Sequence, residues 1–180
     1  MGNGPQGLYG YNHYADGPLV AGPLIGEVAP SSARIWVQAR STAPLTLRIH
    51  SLTSSGSTEY VVDPAEANWL CTVFEVPALA SGETYEYSFA SEHGESPRFP
   101  LRSGLAPQAT RTRLAFGSCY KEYRERPLPI FDAIAAESPD MFLMLGDTCY
   151  TAPEDRQSEA THMQAHLRNR NHDALRNLVS

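Results

Sequence analysis

Apolar and polar residues alternate in a series of short segments between residues 17 and 103. In the segment SSARIWVQA every second residue from Ala33 to Ala39 is apolar, and Arg, Trp or Gln stands between them. A period of two is typical of a β-strand that buries one face. Four further segments of this kind follow, separated by turn-forming sequences: LTLRIHS, TEYVV, CTVFEV and TYEYSFA. Short strands spaced in this way predict a small antiparallel β-sandwich.

One tyrosine marks a corner of this predicted sandwich. Tyr85 enters a strand six residues after Leu79, and Ser81 and Gly82 lie between them. A tyrosine in this position either bonds its hydroxyl to upstream backbone, as in a tyrosine corner, or is an ordinary half-buried strand residue. The turn sequence before it favours the corner. The stretch from residue 17 to 103 resembles fibronectin type III and immunoglobulin-like modules.

The sequence pattern changes after residues 104–112, GLAPQATRT, whose small and polar residues predict a linker. RLAFGSC and MFLMLGD then read as two nearly continuous apolar strands, with apolar residues at helical spacing between them from Ile130 to Ala135. Strand, helix and strand predict a βαβ unit whose parallel sheet is covered on both faces. The sequence from Glu154 onward is again helical in pattern.

Residues 113–180 hold too few elements for an independent α/β domain. Two strands and two or three helices cannot bury both faces of a parallel sheet. We therefore expect this region to be an incomplete α/β domain, or one that depends on a partner.

The charge of the chain argues against several classes of partner. With 14 basic and 20 acidic residues, the net charge is -6. Such a field does not attract nucleic acid or an anionic membrane surface. No apolar run approaches the roughly 20 residues that span a bilayer. We therefore expect neither a nucleic-acid-binding surface nor a membrane partner.

The first 16 residues predict a flexible tail, because they are rich in Gly, Tyr and Asn and poor in aliphatic residues. They contain neither the basic region nor the apolar core of a secretory signal, so a cytoplasmic location is the default expectation. The three cysteines, Cys71, Cys119 and Cys149, are odd in number and widely spaced, which does not predict a disulfide framework.

Candidate metal ligands follow both strands of the predicted βαβ unit. The first strand runs into Cys119, and the second runs into a segment that contains Asp147 and Tyr150. Parallel strands joined by one helix place these ends at the same edge of the sheet, where ligands of α/β proteins bind. A thiolate, a carboxylate and a phenolate are anionic donors that favour a trivalent ion such as ferric iron. A second, harder ion bridged by Asp147 would complete a binuclear centre that activates water.

Each of these residues also has a structural explanation. Cys119 would be a buried thiol, Asp147 would cap the turn after the strand, and Tyr150 would pack against its surroundings. Cys149 reads as a structural residue, or as one that forms a disulfide with Cys119 on oxidation.

Two histidines and two arginines are weaker candidates. His162 and His166 are four residues apart on a predicted helix, which is the spacing of a zinc pair, but the Glu of an HExxH motif is missing. A solvated or packed helix face explains them better. Arg124 and Arg126 would either meet a phosphate or lie in a solvated loop.

The order and spacing of these motifs resemble the alkaline phosphatase D (PhoD-like) family of metallophosphatases. RLAFGSC, the helix after it and SPDMFLMLGDTCY are similar to the start of that family's αββα-type metallophosphoesterase domain. GPLIGEVAPSSARIWVQAR is similar to its N-terminal β-sandwich domain. The resemblance implies a sandwich over residues 17–103 and a truncated metallophosphatase domain over residues 113–180.

The resemblance also implies a function. It implies a phosphoric mono- or diester hydrolase that acts on phosphate esters, with an iron and calcium centre and a metal-bound hydroxide as the nucleophile. By match of motif, Cys119 and Tyr150 correspond to ligands of Fe³⁺, and Asp147 corresponds to the aspartate that bridges iron and calcium. The family's later ligands, in a Trp-Asp-Asp-His-Asp-like motif, are not in this sequence, and members of the family are often exported. The alternative is a non-catalytic fragment or a binding protein built on the β-sandwich.

Overall fold

The computed structural model describes residues 17–53, 56–105, 108–120, 129–171 and 173–179. They form two compact units, which divide between Thr110 and Arg111. This division lies inside the segment 104–112 that the sequence predicts as a linker, and the domain assignment itself stays a prediction. The predicted flexible tail, residues 1–16, lies outside the described residues.

The first unit is built from antiparallel β-strands. Its described residues contain eight strands: β1 (Leu19–Ala29), β2 (Ser32–Ala39), β3 (Leu45–Ser51), β4 (Ser57–Val62), β5 (Cys71–Val76), β6 (Thr84–Ser91), β7 (Gly94–Glu95) and β8 (Phe99–Arg102). Strands β1, β2 and β5 form one sheet. Strands β4, β3 and β6 form a second sheet, in which β7 and β8 both pair with β6. The prediction of sandwich-like antiparallel sheets is therefore confirmed.

The alternation in β2 matches the burial of its side chains. Every second residue from Ala33 to Ala39 is buried, whereas Arg34 is exposed. The rings of Phe74 on β5 and Phe89 on β6 lie 5.6 Å apart, so the two sheets pack face to face. Burial of the large apolar side chains of this core stabilises the unit by about 1.5–3 kcal/mol for each of them.

Tyr85 forms the predicted tyrosine corner. Its hydroxyl accepts a hydrogen bond from the backbone N–H of Ala80 at 2.8 Å. Ser103 ties the same corner: its hydroxyl donates to the carbonyl of Ala80 at 2.6 Å and accepts from the N–H of Glu83 at 3.0 Å. The corner is therefore held by side-chain hydrogen bonds as well as by strand pairing.

Replacing Tyr85 with Phe is expected to lower the free energy of unfolding of the first unit by about 1 kcal/mol, because the Ala80 N–H loses its partner in the corner. Tyr60→Phe is the matched control, since the Tyr60 hydroxyl makes a long, exposed bond of 3.4 Å to the carbonyl of Pro77. Both tryptophans of the chain lie in this unit, so urea unfolding followed by tryptophan fluorescence measures both variants. Equal losses would show that the corner bond does not stabilise the unit.

Gly104, at the start of the predicted linker, is hydrogen-bonded to the first unit. Its N–H donates to the carbonyl of Ala29 at 2.9 Å, and its carbonyl accepts from the N–H of Gly82 at 3.2 Å. Backbone bonds in both directions hold the residue beside the end of β1. The sequence GLAPQATRT did not reveal this, because the glycine serves a close approach of two backbones and not flexibility.

The second unit contains a parallel pair of strands with a helix between them in sequence. Its described elements are β9 (Leu114–Gly117), α1 (Pro129–Ala136), β10 (Met141–Met144), a 3₁₀ turn (Pro153–Arg156), α2 (Glu159–Arg170) and α3 (Asp173–Val179). Leu114 pairs with Met141, and Gly117 pairs with Met144. The order and the parallel pairing agree with the predicted βαβ unit.

Helices cover one face of the β9–β10 pair. Phe131 of α1 packs against Phe142 of β10 with the ring centroids 6.1 Å apart, and Leu175 of α3 joins the same cluster. The apolar residues on the other face are between 38% and 66% exposed: Leu114, Phe116, Met141 and Leu143. For the described residues, this agrees with the expectation that residues 113–180 hold too few elements to bury both faces of a parallel sheet. Apolar composition shows that a strand is suited to burial, and not that a second layer lies over it.

Helix α2 is tied to the chain before it at both of its ends. The Ser158 hydroxyl accepts from the N–H of Thr161 at 3.1 Å, which caps the first turn. Near the last turn Arg168 forms a largely buried ion pair with Asp155 at 2.7 Å, and Asp155 also accepts from the N–H of Ala152 at 2.9 Å.

Among the described helices, none is both long enough and apolar enough to cross a membrane.

Candidate metal centre

The loops that leave β9 and β10 run side by side. Beyond the paired strands, the N–H of Leu145 donates to the carbonyl of Gly117 at 2.8 Å, and the N–H of Cys119 donates to the carbonyl of Gly146 at 3.4 Å. Parallel pairing of the strands therefore brings the segments that follow them to the same edge of the sheet. The three residues predicted as metal ligands lie in these two segments.

The structure brings the three predicted ligands together around one carboxylate oxygen. The Cys119 Sγ lies 3.8 Å from the Oδ2 of Asp147, and the Tyr150 hydroxyl donates to the same Oδ2 at 2.7 Å. All three side chains are exposed, so their donor atoms are open to an ion from solution. Their role as metal ligands stays a prediction.

Two of these residues hold an uncommon backbone conformation. Cys119 has a φ of 57° and Asp147 a φ of 48°, which places both in the left-handed region that residues other than glycine rarely occupy. Asp tolerates this region better than Cys does. Left-handed residues outside glycine concentrate at functional sites, where the surrounding structure holds them in place.

The carboxylate of Asp147 favours the protonated form of the Tyr150 phenol. The hydrogen bond to Asp147 raises the pKa of the Tyr150 phenol above its ordinary value, and the neighbouring Cys119 adds to the increase. The phenol therefore keeps its proton at neutral pH. A cation bound by the phenolate has to displace that proton, so its apparent affinity would rise with pH.

The donor set suits one iron ion but is incomplete. Metal–donor bonds of about 2.0–2.3 Å place neighbouring donors roughly 3–4 Å apart, which is close to the Sγ–Oδ2 separation of 3.8 Å. Thiolate, carboxylate and phenolate together would balance the charge of a trivalent ion. In the part of the chain that the structure describes, no group of three or more His, Cys, Asp or Glu side chains is placed to hold a metal. The third donor here is a phenol.

The other sequence candidates among the described residues are a pair of histidines and Cys149. His162 and His166 face each other on α2 with ring centroids 4.9 Å apart. Burial lowers the pKa of His166, with His162 and Arg170 adding to the decrease. Cys149 is half-buried, and none of the three cysteines, all of them described, forms a disulfide. The predictions for Arg124 and Arg126 lie outside the described residues.

One residue beside the centre was missed from the sequence. Asn169 of α2 is 3% exposed, accepts a hydrogen bond from the Tyr120 hydroxyl and donates one to the carbonyl of Thr148. The position of Asn169 on its helix could have revealed it in the sequence. Asn169 follows the buried Ala165 by one helical turn, so a polar side chain occupies the apolar face of α2. A polar residue at such a position predicts a buried hydrogen bond.

No family model matches the sequence, and no curated protein is significantly similar to it in sequence. Among solved structures, one described as the structure of PhoD superposes with a TM-score of 0.74 and 17% sequence identity. The match covers 93% of this chain and 38% of that chain. This chain is similar to PhoD in fold. The match therefore extends over parts of both units, and it leaves most of the PhoD chain unmatched.

Fibronectin type III domains also appear among the similar structures. One from human collagen XX has a TM-score of 0.39 and 22% identity, over 48% of this chain and 91% of that one. The FN5 domain of Drosophila Lar has a TM-score of 0.39 and 12% identity, over 51% of this chain and 99% of that one.

Proposed function

We propose that this chain contributes an iron-binding half-site to a phosphoric ester hydrolase of the alkaline phosphatase or phosphodiesterase type. The observation that carries the proposal is the contact of Cys119 and Tyr150 with the same oxygen of Asp147. These residues stand at the carboxyl ends of two parallel strands, in a chain similar in fold to part of PhoD. Ligands of α/β proteins gather at that edge of the sheet.

Each of the three residues would have a distinct part in holding the ions. Cys119 and Tyr150 would supply a thiolate and a phenolate to Fe³⁺, and Asp147 would supply a carboxylate with a second oxygen for Ca²⁺. When bound, such a pair of cations supplies the Lewis acid that polarises a phosphoryl oxygen and lowers the pKa of water. The exposure of all three side chains leaves room for a phosphate ester beside them.

Three donors leave the coordination sphere of an iron ion unfilled, since even tetrahedral sites use four. The chain spans 38% of the PhoD chain that it matches. We therefore propose hydrolysis of phosphate esters for a centre that contains further donors in addition to Cys119, Asp147 and Tyr150. The residues described here would bind iron first, and further donors would set the affinity for calcium and the rate of hydrolysis. The net charge of -6 favours a small ester as substrate over a nucleic acid.

The test is iron loading of the purified chain, followed by hydrolysis assays. The chain is titrated with Fe³⁺ buffered by nitrilotriacetate, with and without Ca²⁺, and we expect about one iron per chain and a visible charge-transfer band from the thiolate and phenolate. The loaded protein is then assayed with p-nitrophenyl phosphate and bis(p-nitrophenyl) phosphate against the same iron buffer without protein. Iron binding without turnover would agree with a half-site that needs further donors for hydrolysis, and turnover above the buffer control would show that the three donors suffice. Absence of both would contradict the proposed function.

A further inference from the structure

We propose that Asn169 is the positioning residue that holds the two ligand-bearing loops of the candidate metal centre in register. This inference rests on the proposed function and adds to it a residue that touches neither iron nor substrate. Asn169 lies in the last turn of α2 and is almost completely buried. Its side-chain amide uses both of its ends, the Oδ1 as an acceptor and the Nδ2 as a donor.

The two partners of Asn169 belong to different loops of the centre. The Oδ1 accepts from the hydroxyl of Tyr120, the residue directly after Cys119. The Nδ2 donates to the carbonyl of Thr148, the residue directly after Asp147. One amide therefore links the segment that carries the thiol to the segment that carries the carboxylate and the phenol.

The backbone bonds between the two segments lengthen toward the ligands. The bond from the N–H of Leu145 to the carbonyl of Gly117 is 2.8 Å, whereas the bond from the N–H of Cys119 to the carbonyl of Gly146 is 3.4 Å. Cys119 and Asp147 both occupy the left-handed region, which costs energy unless neighbouring contacts enforce it. Both side chains are exposed, so burial does not hold them.

Asn169 is itself held in a fixed place. The neighbouring residue Arg168 forms the largely buried ion pair with Asp155, which anchors the last turn of α2 to the 3₁₀ turn before the helix. On the other side, the Tyr120 ring packs edge to face against Phe131 with the centroids 4.9 Å apart. The ring contact orients the Tyr120 hydroxyl toward Asn169. The ion pair holds Asn169 within hydrogen-bond distance of that hydroxyl.

A side-chain amide meets both demands at this position, since it carries an acceptor and a donor side by side. A carboxylate would accept from Tyr120 but could not donate to the Thr148 carbonyl, and an apolar side chain would do neither. Loss of Asn169 would leave a carbonyl and a hydroxyl without their buried partner and would let the two loops separate. Supporting residues of this kind commonly change metal affinity by about 10–100-fold.

The first measurement is the affinity for Fe³⁺, by competition with nitrilotriacetate and with the visible charge-transfer band as the signal. Asn169→Leu removes both hydrogen bonds at similar volume, and we expect a loss of affinity of about 10–100-fold. Tyr120→Phe keeps the ring contact and removes one of the two bonds, so a smaller loss is expected. Tyr120→Phe also provides a test of the proposal if Asn169→Leu does not fold.

Leu167→Ala is the matched control for general weakening of α2. Leu167 is buried in the same turn of the helix but makes no hydrogen bond to either loop through its side chain. We expect it to lower stability while leaving the iron affinity of the folded protein unchanged. If Leu167→Ala loses as much affinity as Asn169→Leu, the role of Asn169 is structural only, and the proposal is overturned.

The second measurement needs no metal. Hydrogen exchange of the metal-free protein reports whether the segments 117–120 and 145–150 open, and we expect exchange at least about tenfold faster in Asn169→Leu than in Leu167→Ala. Faster exchange combined with no iron binding by the unmodified chain would support the link between the loops while removing the proposed function. Normal exchange and normal iron affinity in Asn169→Leu would overturn the inference and leave the proposed function standing.

Discussion

Asp147→Asn is expected to abolish tight binding of Fe³⁺ by this chain, with a loss of affinity of at least about 100-fold, above the range seen for supporting residues. The Oδ2 of Asp147 is the atom that both Cys119 and Tyr150 contact, so the carboxylate is central to the donor set. Asn accepts the left-handed backbone of this position, where φ is 48°, as readily as Asp does. The substitution therefore removes the negative charge and leaves the loop in place.

Asp132→Asn is the matched control for this experiment. Asp132 is an exposed residue of α1, and its replacement changes the net charge by the same amount. Competition of each variant with nitrilotriacetate for Fe³⁺ gives the two affinities. If both variants bind iron equally weakly, the effect comes from the overall charge and not from coordination. If Asp147→Asn binds iron as the unmodified chain does, Asp147 is not a ligand.

Gly104→Ala is expected to destabilise the first unit by about 3 kcal/mol, at the upper end of the cost of overpacking. A Cβ at this position would lie 2.6 Å from the carbonyl carbon of Ala29 and 2.8 Å from the backbone nitrogen of Pro30. These are backbone atoms, which cannot rotate away as a side chain would. Moving them apart would also stretch the hydrogen bond from the Gly104 N–H to Ala29, now 2.9 Å.

Gly26→Ala separates this steric effect from the general effect of replacing a glycine. The nearest atom to a Cβ at Gly26 is the carbonyl oxygen of Arg34 at 3.7 Å, an ordinary contact distance. We expect this variant to be as stable as the unmodified protein within about 1 kcal/mol. Urea unfolding followed by tryptophan fluorescence compares the two. Equal stability of both variants would show that the backbones near Gly104 can move apart at little cost.

The fold of the first unit was readable from local sequence because its signal repeats within each strand. Alternation from Ala33 to Ala39 predicted the buried face of β2, and the spacing of Leu79 and Tyr85 predicted a corner whose hydrogen bond spans five residues. Such features are decided by neighbours in the chain. The convergence of Cys119 and Asp147 was predicted by a different rule, that parallel strands joined by a helix end at the same edge.

The sequence did not reveal the features that depend on distant partners. The bond between Tyr120 and Asn169 joins residues 49 positions apart, and no local pattern encodes that distance. One face of β9 and β10 was expected to stay uncovered, but the apolar strands alone do not show which face the helices cover. Gly104 was assigned to the linker, since a glycine required for close approach and a glycine in a flexible segment look alike in sequence.

The exposed apolar face of β9 and β10 favours association between copies of this chain in solution. Phe116 and Met141 on that face are each more than half exposed, and the net charge of -6 is the main force that keeps chains apart. Salt at physiological strength screens that repulsion beyond about 8 Å, and sulfate or phosphate strengthens contact between apolar surfaces. Clustering of chains would therefore increase with ionic strength, the reverse of association driven by opposite charges. Dilute protein in low-salt buffer is the condition in which iron titrations report coordination and not precipitation.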